Sequence, residues 1–459
     1  MLSFLNATMS GATSRFLTFE LGKGNLEKLS VTFNSALLVH FSIAIFVFLI
    51  AETIGLWFLI NKIVIPEGRM RAAIWVYEFS ILSTMISITQ VPYNASIIAH
   101  ENIRVFAIVE ILHTLLKLAI VLLLCVVNEF DKLILYGCLT LLVSFIVAVI
   151  YRMYSIHHYG ECHFQFCFDK IIIKEILSFS GYNLFGNFGS IINRQGTNII
   201  INQFFGVAFN AASGLATTVA DAISNFAHNV IAAFRPAITK SYAQNNYEEQ
   251  EQLTKLALIL SIYMLMLVSI PAMIEINYII RLWLGIIPDG MEIFVKLILI
   301  ANLFEIIKYI FVINVHATGK IKKVSIATGL ILSLNPVAVY IVYRLVHCVS
   351  MAYVCLACAQ FCLAIVVAII TKRRIPEFHI GQLLIAVGKI LSVAIVTGFI
   401  IYLSTKLIEQ SFKRVIVTVL MSSIVFTSLT YCLCLSKDQR HQVVTMIKSK
   451  ISKKKYDNR

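Results

Sequence analysis

The sequence predicts an all-α, polytopic membrane protein with about thirteen transmembrane helices. The 459 residues are 59% hydrophobic and only 14% charged, whereas charged residues make up about 25% of a soluble domain. Apolar runs of about 20 residues, the length that crosses the hydrocarbon core of a bilayer, recur along the chain. A chain this long and apolar cannot bury its surplus in one soluble core. This excludes a water-soluble enzyme, a secreted disulfide scaffold and a disordered protein.

Twelve of the apolar runs are strong candidates for spans, and a thirteenth is weak. The weak one is 1–19, where Asn6, Ser10 and Arg15 interrupt the apolar residues, so that protein neighbours have to cover its polar side. The twelve strong runs are 31–60, 74–99, 104–127, 132–155, 175–204, 207–234, 252–275, 291–315, 322–346, 349–371, 381–408 and 412–436.

The distribution of Lys and Arg between the loops predicts the topology. If 1–19 is a span and the C-terminus is cytoplasmic, the cytoplasmic segments carry 23 of the 38 Lys and Arg residues, and the opposite segments carry 9. This bias follows the positive-inside rule. The C-terminal tail contains Lys448, Lys450 and the run 453–455. We expect it to contact anionic membrane lipids rather than nucleic acid.

The cysteines and histidines do not predict a metal site or a cofactor. Cys355 and Cys358 have a metal-like or redox-like spacing, but they lie within an apolar span, where a thiol packs as a small hydrophobic group. The His/Cys-rich stretch 157–167 matches no standard zinc spacing.

A polar stripe runs along the predicted span 175–204. Its members recur every three or four residues, which places them within an arc of about 120° on a helix. Arg194 lies near the middle of this span. The amides favour polar contacts between helices, whereas an arginine at this depth favours a water-filled cavity. The stripe comprises Asn183, Asn187, Ser190, Arg194, Asn198 and Asn202.

Further polar faces occur on other spans. On 207–234, one face carries Thr217, Asp221, Ser224, Asn225 and His228.

On 104–127, Glu110, His113 and Lys117 share a face by their spacing of three and four. They form either a self-satisfied polar patch or a proton or cation site coupled to transport. On 291–315, Glu305 and Lys308 are close enough to pair, and Lys308 would add positive charge to a cavity.

Several stretches together resemble the polysaccharide flippases of the multidrug/oligosaccharidyl-lipid/polysaccharide (MOP) exporter superfamily, which are MATE-like. The resemblance is strongest to O-antigen and capsule repeat-unit flippases. The stretches are QVPYNASIIAHE (90–101), LSFSGYNLFGNFGSIINRQGTNIIINQFFG (177–206), FRPAITKSYAQNN (234–246), LWLG (282–285) and ATGKIKK (317–323).

The resemblance implies a two-lobed MATE-like bundle around a central cavity, followed by two extra helices. The corresponding boundaries are an N-terminal lobe at 1–156, a C-terminal lobe at 157–371, and an extra pair with the basic tail at 372–459. The first lobe then has five spans, and position 1 falls within the second helix of the family. The charge count also leaves Met1 on the outer side, so we expect the first N-lobe helix to be missing.

The resemblance further implies a function in surface polysaccharide biosynthesis, including lipopolysaccharide. Such a protein moves an undecaprenyl-diphosphate-linked oligosaccharide across the cytoplasmic (inner) membrane by alternating access, and polysaccharide assembly proteins are its expected partners. A cationic cavity suits this substrate, because arginine offers forked donors to phosphate oxygens and amides bind sugar hydroxyls. The candidate substrate-binding residues are Arg194, Lys117, Lys308, Asn187 and Asn198. The candidate ion-coupling residues are Asp221, Glu110, His113 and His228.

Three alternatives remain open from the sequence. A multidrug or cation antiporter of the same superfamily would favour an acidic and aromatic cavity. A membrane-embedded polysaccharide polymerase or ligase would place acid and base residues in a large external loop, and the longest external segments, 61–73 and 276–290, are short. A non-transporting scaffold is the third.

Overall fold

The computed structural model describes residues 3–61, 68–127, 131–406 and 409–433, and these residues are all-helical, without strands. Thirteen long helices follow one another within them. They are α1 (Ser3–Lys23), α2 (Leu26–Asn61, with a π turn at Ala51–Gly55), α3 (Met70–Ala99), α4 (Ile103–Val126), α5 (Lys132–His158), α6 (Lys170–Phe205), α7 (Val207–Ala243), α8 (Tyr247–Leu284), α9 (Met291–Ala317), α10 (Lys322–Leu345), α11 (Met351–Arg374), α12 (Ile380–Thr405) and α13 (Phe412–Leu433).

The predicted fold class is confirmed, since each of the thirteen predicted spans corresponds to one helix in order. Within the described residues, ten of these helices are long and apolar enough to cross a membrane. The other three, α1, α6 and α7, are the helices in which the sequence places many polar residues. The chain is a multi-pass membrane protein. The basic tail, predicted to be cytoplasmic, lies outside the described residues.

Short breaks separate consecutive helices, and their local chemistry is visible in the sequence. Only Gly206 separates α6 from α7, and its φ of 87° lies in the left-handed region that glycine adopts without steric cost. Asn25 and Asp131 precede α2 and α5 as N-caps. Their side chains accept hydrogen bonds from the backbone N–H groups of Lys28 and Leu133, at 3.0 and 2.9 Å.

The described chain divides into two compact units. The first comprises 1–188, 235–250 and 313–326, and the second comprises 189–234, 251–312 and 327–459. Several long helices therefore contribute residues to both units. The lobe boundaries derived from the resemblance remain a prediction.

Arg15 explains the polarity of α1 in the first unit. Its guanidinium is buried (8% exposed) and donates from Nε to the carbonyl of His316 at 3.2 Å and from Nη2 to the carbonyl of Ala317 at 2.9 Å. These carbonyls end α9, where basic side chains commonly satisfy the last unpaired acceptors of a helix. The arginine that weakens 1–19 as a membrane span therefore caps another helix.

The C-terminal pair α12 and α13 belongs to the second unit, and α13 is joined to α8 by a buried ion pair. Arg414 donates from Nε to Glu275 Oε1 at 2.8 Å, and the hydroxyl of Thr418 donates to the same oxygen at 3.0 Å. Further along, the rings of Tyr263 and Phe426 stack with centroids 5.3 Å apart. These contacts fix α13 along α8.

In the first unit, a buried carboxylate holds the loop after α5 against the end of α3. The hydroxyl of Ser96 donates to Glu161 Oε1 at 2.9 Å, and His100 Nε2 lies 2.7 Å from the same oxygen. The His100 ring stacks on Tyr159 at 4.0 Å. Burial alone would raise the pKa of Glu161, but the hydrogen bonds from His100, the backbone and Ser96 outweigh burial and hold this pKa below its ordinary value.

This loop contact predicts a pH-dependent stability. Because the folded-state pKa of Glu161 is lowered, its contribution is complete above the ordinary carboxyl pKa of about 4.3 and is lost as the pH falls through the lowered value. We expect Glu161→Gln to remove about 1.5–3 kcal/mol at pH 7, the range for hydrogen bonds to a charged group. Thermal unfolding in detergent between pH 3.5 and 7 measures this.

The matched control for that measurement is Glu27→Gln, which changes an exposed acid on α2. The control should keep the wild-type pH profile, whereas Glu161→Gln should flatten its acidic limb. Parallel profiles for wild type and Glu161→Gln would show that the carboxylate does not stabilise this loop.

Candidate functional site

A polar cavity of about 490 Å³ lies within the second unit. It is lined by α6, α7, α9, α10 and α11. Seventeen of its twenty lining residues have polar or ionisable side chains, and the exceptions are Ile298, Ala352 and Leu356. Such a concentration of polar groups among membrane helices marks a functional site.

The polar stripes on α6 and α7 form two walls of this cavity. From α6 come Ser190, Arg194 and Asn198 of the predicted stripe, together with Asn193 and Thr197. From α7 come all five residues predicted to share a face, and Ser213 extends that face. They are Thr217, Asp221, Ser224, Asn225 and His228.

A close approach of backbones positions α6. A Cβ built on Gly189 would lie 2.5 Å from the carbonyl oxygen of Gly329 on α10, so a larger residue at 189 would push the two helices apart. One turn beyond the Gly189 contact, Asn335 of α10 donates to the side-chain oxygen of Asn193 at 2.8 Å. Small residues and interhelical amide bonds are the usual means of packing membrane helices closely.

Opposite charges face each other across the cavity. Arg194 Nη1 lies 3.8 Å from Asp221 Oδ2, and both side chains are more than half exposed, at 61% and 51%. Their separation exceeds hydrogen-bond distance, so the forked donors of Arg194 remain available to a ligand. The cavity of the second unit thus contains acids as well as cations.

A second charged group on α9 is buried more deeply. Lys308 is 5% exposed, its Nζ lies 3.8 Å from Glu305 Oε1, and it donates to Gln360 Oε1 on α11 at 2.9 Å. Glu305 Oε2 in turn lies 3.3 Å from His228 Nε2 on α7. The predicted pairing of Glu305 with Lys308 is present, and the group links three helices.

Neutral hydrogen bonds complete the walls. Asn302 donates to Ser224 Oγ at 2.7 Å, and the hydroxyl of Tyr353 donates to Ser213 Oγ at 2.6 Å. Of these four residues, only Ser224 was predicted from the sequence. Asn302 shares a three-residue spacing with Glu305 and Lys308, which could have identified it. Tyr353 and Gln360 are isolated polar residues in a very apolar span, and no spacing singles them out.

The remaining candidate residues belong to the first unit and do not line this cavity. Asn187 lies on α6, within 1–188. Glu110 and His113 line a separate cavity of about 260 Å³ among α1, α3, α4 and α5. There Tyr151 donates to Glu110 Oε1 at 3.1 Å, and His113 Nδ1 lies 3.8 Å from Glu110 Oε2. Lys117 is exposed and lies outside both linings.

No protein-family model and no curated protein matches the sequence. Solved structures do match, each over 82% of this chain. A MATE structure in the bent conformation has 15% identity, 84% coverage of its own chain and a TM-score of 0.72. An outward-facing multidrug resistance MATE family transporter of the MOP superfamily has 15% identity, 84% coverage of its own chain and a TM-score of 0.71. A MOP superfamily transporter from Pyrococcus furiosus has 12% identity, 85% coverage of its own chain and a TM-score of 0.65. At these identities the likeness establishes the fold, which is that of the MATE and MOP transporters.

The pair of buried Lys308 and partly buried Glu305 on α9 predicts non-additive effects of substitution. Lys308→Met leaves Glu305 without its cation, and Glu305→Gln leaves Lys308 without its anion. Breaking a buried pair costs about 3–5 kcal/mol. The double variant should cost at least about 1 kcal/mol less than the sum of the two single changes. Unfolding in detergent titrated with dodecyl sulfate measures the three free energies.

The matched control is the pair Glu292 and Lys296 on the same helix, which is four residues apart and more than one-third exposed on both sides. Its coupling energy should be about 0.3–0.5 kcal/mol. Equal coupling energies for the two pairs would contradict the role of Lys308 and Glu305 in holding α7, α9 and α11 together.

Proposed function

We propose that the protein is a transporter that moves a lipid-linked, diphosphate-bearing oligosaccharide from one leaflet of its membrane to the other. The observation that carries this proposal is the polar cavity of the second unit. Its lining of amides, hydroxyls and an accessible arginine matches sugars and phosphate. The MATE and MOP fold supports transport, and the lipid tail of such a substrate can stay in the bilayer while its polar part crosses through water.

Arg194 is the residue we assign to the diphosphate. Its side chain is 61% exposed and its nearest acid lies at 3.8 Å, so a phosphate can compete for its forked donors. Lys308 is largely enclosed by Glu305 and Gln360, and we assign it to holding the cavity wall rather than to direct contact with the substrate. Asn198, beside Arg194 on the same wall, is placed to bind a sugar hydroxyl.

The scarcity of aromatic rings in the cavity is our reason for proposing this substrate rather than a hydrophobic cation, and its two acids, Asp221 and Glu305, each face a cation of the same cavity. Among the residues that line it, Tyr353 alone carries a phenyl or indole ring, and its hydroxyl is bonded to Ser213. A site for apolar cations would gain most of its affinity from aromatic faces. For the similar Pyrococcus furiosus transporter, reversed polarity of the binding pocket suggests a different function. We likewise take the polarity of the cavity as the guide here.

We further propose that the protein acts in surface polysaccharide biosynthesis and lies in the cytoplasmic (inner) membrane. We place the C-terminus in the cytoplasm, as the loop charges predict, with its basic tail on anionic lipids. Polysaccharide assembly proteins are the proposed protein partners. The protein acts as a transporter and not as an enzyme. Lys117 and Asn187 belong to the first unit and do not line the second-unit cavity, and their role in substrate binding stays a prediction.

The substrate assignment predicts the effect of changing Arg194. In proteoliposomes with a fluorescent undecaprenyl-diphosphate-linked oligosaccharide in one leaflet, Arg194→Ala should slow flipping roughly tenfold or more. A hydrogen bond to a charged group contributes about 1.5–3 kcal/mol, and 1.36 kcal/mol corresponds to a factor of ten in rate. Arg194→Lys should retain part of the rate, because it keeps the charge but loses the fork.

Arg344→Ala is the control, because Arg344 is an exposed arginine of the same unit that contacts Tyr340 and lies outside the cavity. It should flip substrate at the wild-type rate. A wild-type rate for Arg194→Ala would refute the assignment of the diphosphate. Gradient-driven efflux of a cationic dye without flipping would favour the antiporter.

Coupling to an ion gradient is proposed to involve Asp221 and His228 in the second unit and Glu110 and His113 in the first. Asp221→Asn keeps the shape of the side chain but cannot exchange a proton. We expect it to abolish stimulation of flipping by an imposed pH gradient. Glu110→Gln serves as the comparison, and unchanged stimulation in both variants would exclude these two carboxylates from coupling.

A further inference from the structure

A cavity of about 990 Å³ in the first unit is unlike the polar cavity of the second unit. It lies among α2, α3, α5 and the loop that follows α5. Most of its lining is aliphatic or aromatic, and Phe41, Leu82, Leu142 and Phe145 are examples. The proposed function does not use it.

The polar groups of this cavity are gathered at one end. Asn34 lies near the start of α2, and Tyr93 and Arg152 lie near the ends of α3 and α5. Gln165 lies in the loop that leads from α5 to α6. From that end the lining becomes apolar towards Leu82 on α3. At 1.5 Å per residue, the distance along α3 from Tyr93 to Leu82 is about 16 Å. One leaflet of a hydrocarbon core of about 30 Å has a similar depth.

Arg152 is the charged group at the polar end. Its Nη2 donates to Thr89 Oγ1 at 2.7 Å, and its guanidinium lies 5.7 Å from the centre of the Tyr93 ring. Its Nε atom is buried and has no hydrogen-bond partner. A guanidinium has five N–H donors, and a buried donor without an acceptor is costly. Because Arg152 lines the cavity, an anion at this end would accept hydrogen bonds from the guanidinium N–H groups that the cavity reaches.

The charge balance of this cavity differs from that of the second-unit cavity. Among the described residues that line it, Arg152 is the single cation and there is no Asp or Glu. An arginine within an apolar lining of this kind complements one negative charge attached to an apolar chain.

The loop beside the polar end carries exposed aromatic rings on alternate residues. Phe164, Phe166 and Phe168 line the cavity, and Phe166 is 88% exposed. The loop is held in place because the backbone N–H of Gln165 donates to Asn34 Oδ1 at 2.9 Å, and that of Asp169 donates to Ser35 Oγ at 3.0 Å. The exposed phenyl rings suit the boundary between acyl chains and headgroups better than bulk water.

We propose that this cavity binds an anionic glycerophospholipid of the surrounding bilayer, with the phosphate at Arg152 and an acyl chain along α3 and α5. The loop charges predict that this end faces the cytoplasm, so the lipid belongs to the cytoplasmic leaflet. The proposal does not depend on the transported substrate, because the residues involved are separate from those of the second-unit cavity.

Native mass spectrometry of the detergent-purified protein tests the proposal with phosphatidylglycerol and phosphatidylcholine at equal concentrations. Wild-type protein should retain at least about fivefold more phosphatidylglycerol. Arg152→Gln should abolish this preference, and Arg152→Lys should keep most of it. The control Arg104→Gln, at an exposed arginine of the same unit, should leave the preference unchanged. Equal retention of both lipids by the wild type would overturn the proposal.

A second pair of variants tests the apolar part of the cavity. Leu142→Trp should fill it and reduce the retention of phosphatidylglycerol, whereas Leu122→Trp, on an exposed face of α4 outside the cavity, should not. Equal effects of the two tryptophans would overturn the assignment of the acyl chain. Tighter retention of undecaprenyl phosphate than of phosphatidylglycerol, lost in Arg152→Gln, would overturn the choice of a bilayer phospholipid as the occupant.

Discussion

The buried contact of Lys308 with Glu305 and Gln360 shows the constraint on which the second unit depends. A charged side chain within membrane helices is costly unless it is paired or solvated. Lys308 meets this requirement through an acid at 3.8 Å and an amide at 2.9 Å. Glu305 also contacts His228. Lys308 therefore joins α9 to α11, and Glu305 extends the group to α7, so that three helices around the cavity are linked.

The same constraint separates the structural polar residues from those available to a ligand. Asn193 with Asn335, and Asn302 with Ser224, satisfy each other between helices, which is the role of polar contacts in membrane packing. Arg194 differs because it is largely exposed. The sequence favoured interhelical contacts for the amides and a cavity for the arginine. The structure contains both. The interhelical amide contacts hold together the helices that line the cavity, and Arg194 extends from one of these helices into the cavity.

The number and order of the helices were predictable because hydrophobic length and loop charge determine them locally, whereas the MATE-like arrangement was implied by the family resemblance. Each predicted span became a helix, and the polar faces of α6 and α7 followed from a spacing of three and four residues. Contacts between distant segments were not predictable. Nothing near Arg15 in the chain indicates that its partners are the carbonyls of His316 and Ala317. Nor does the spacing of Glu110, His113 and Lys117 show that Lys117 points away from the cavity that the other two line. Isolated residues such as Gln360 carry no periodic signal at all.

The central claim is that the second-unit cavity recognises phosphate and sugar rather than an apolar cation. Calorimetric titration of the purified protein with a water-soluble sugar diphosphate, and separately with a cationic dye, tests it most directly. The account predicts saturable binding of the sugar diphosphate at least about tenfold tighter than that of the dye, lost in Arg194→Ala. Dye binding that is the tighter of the two and unaffected by Arg194→Ala would contradict it.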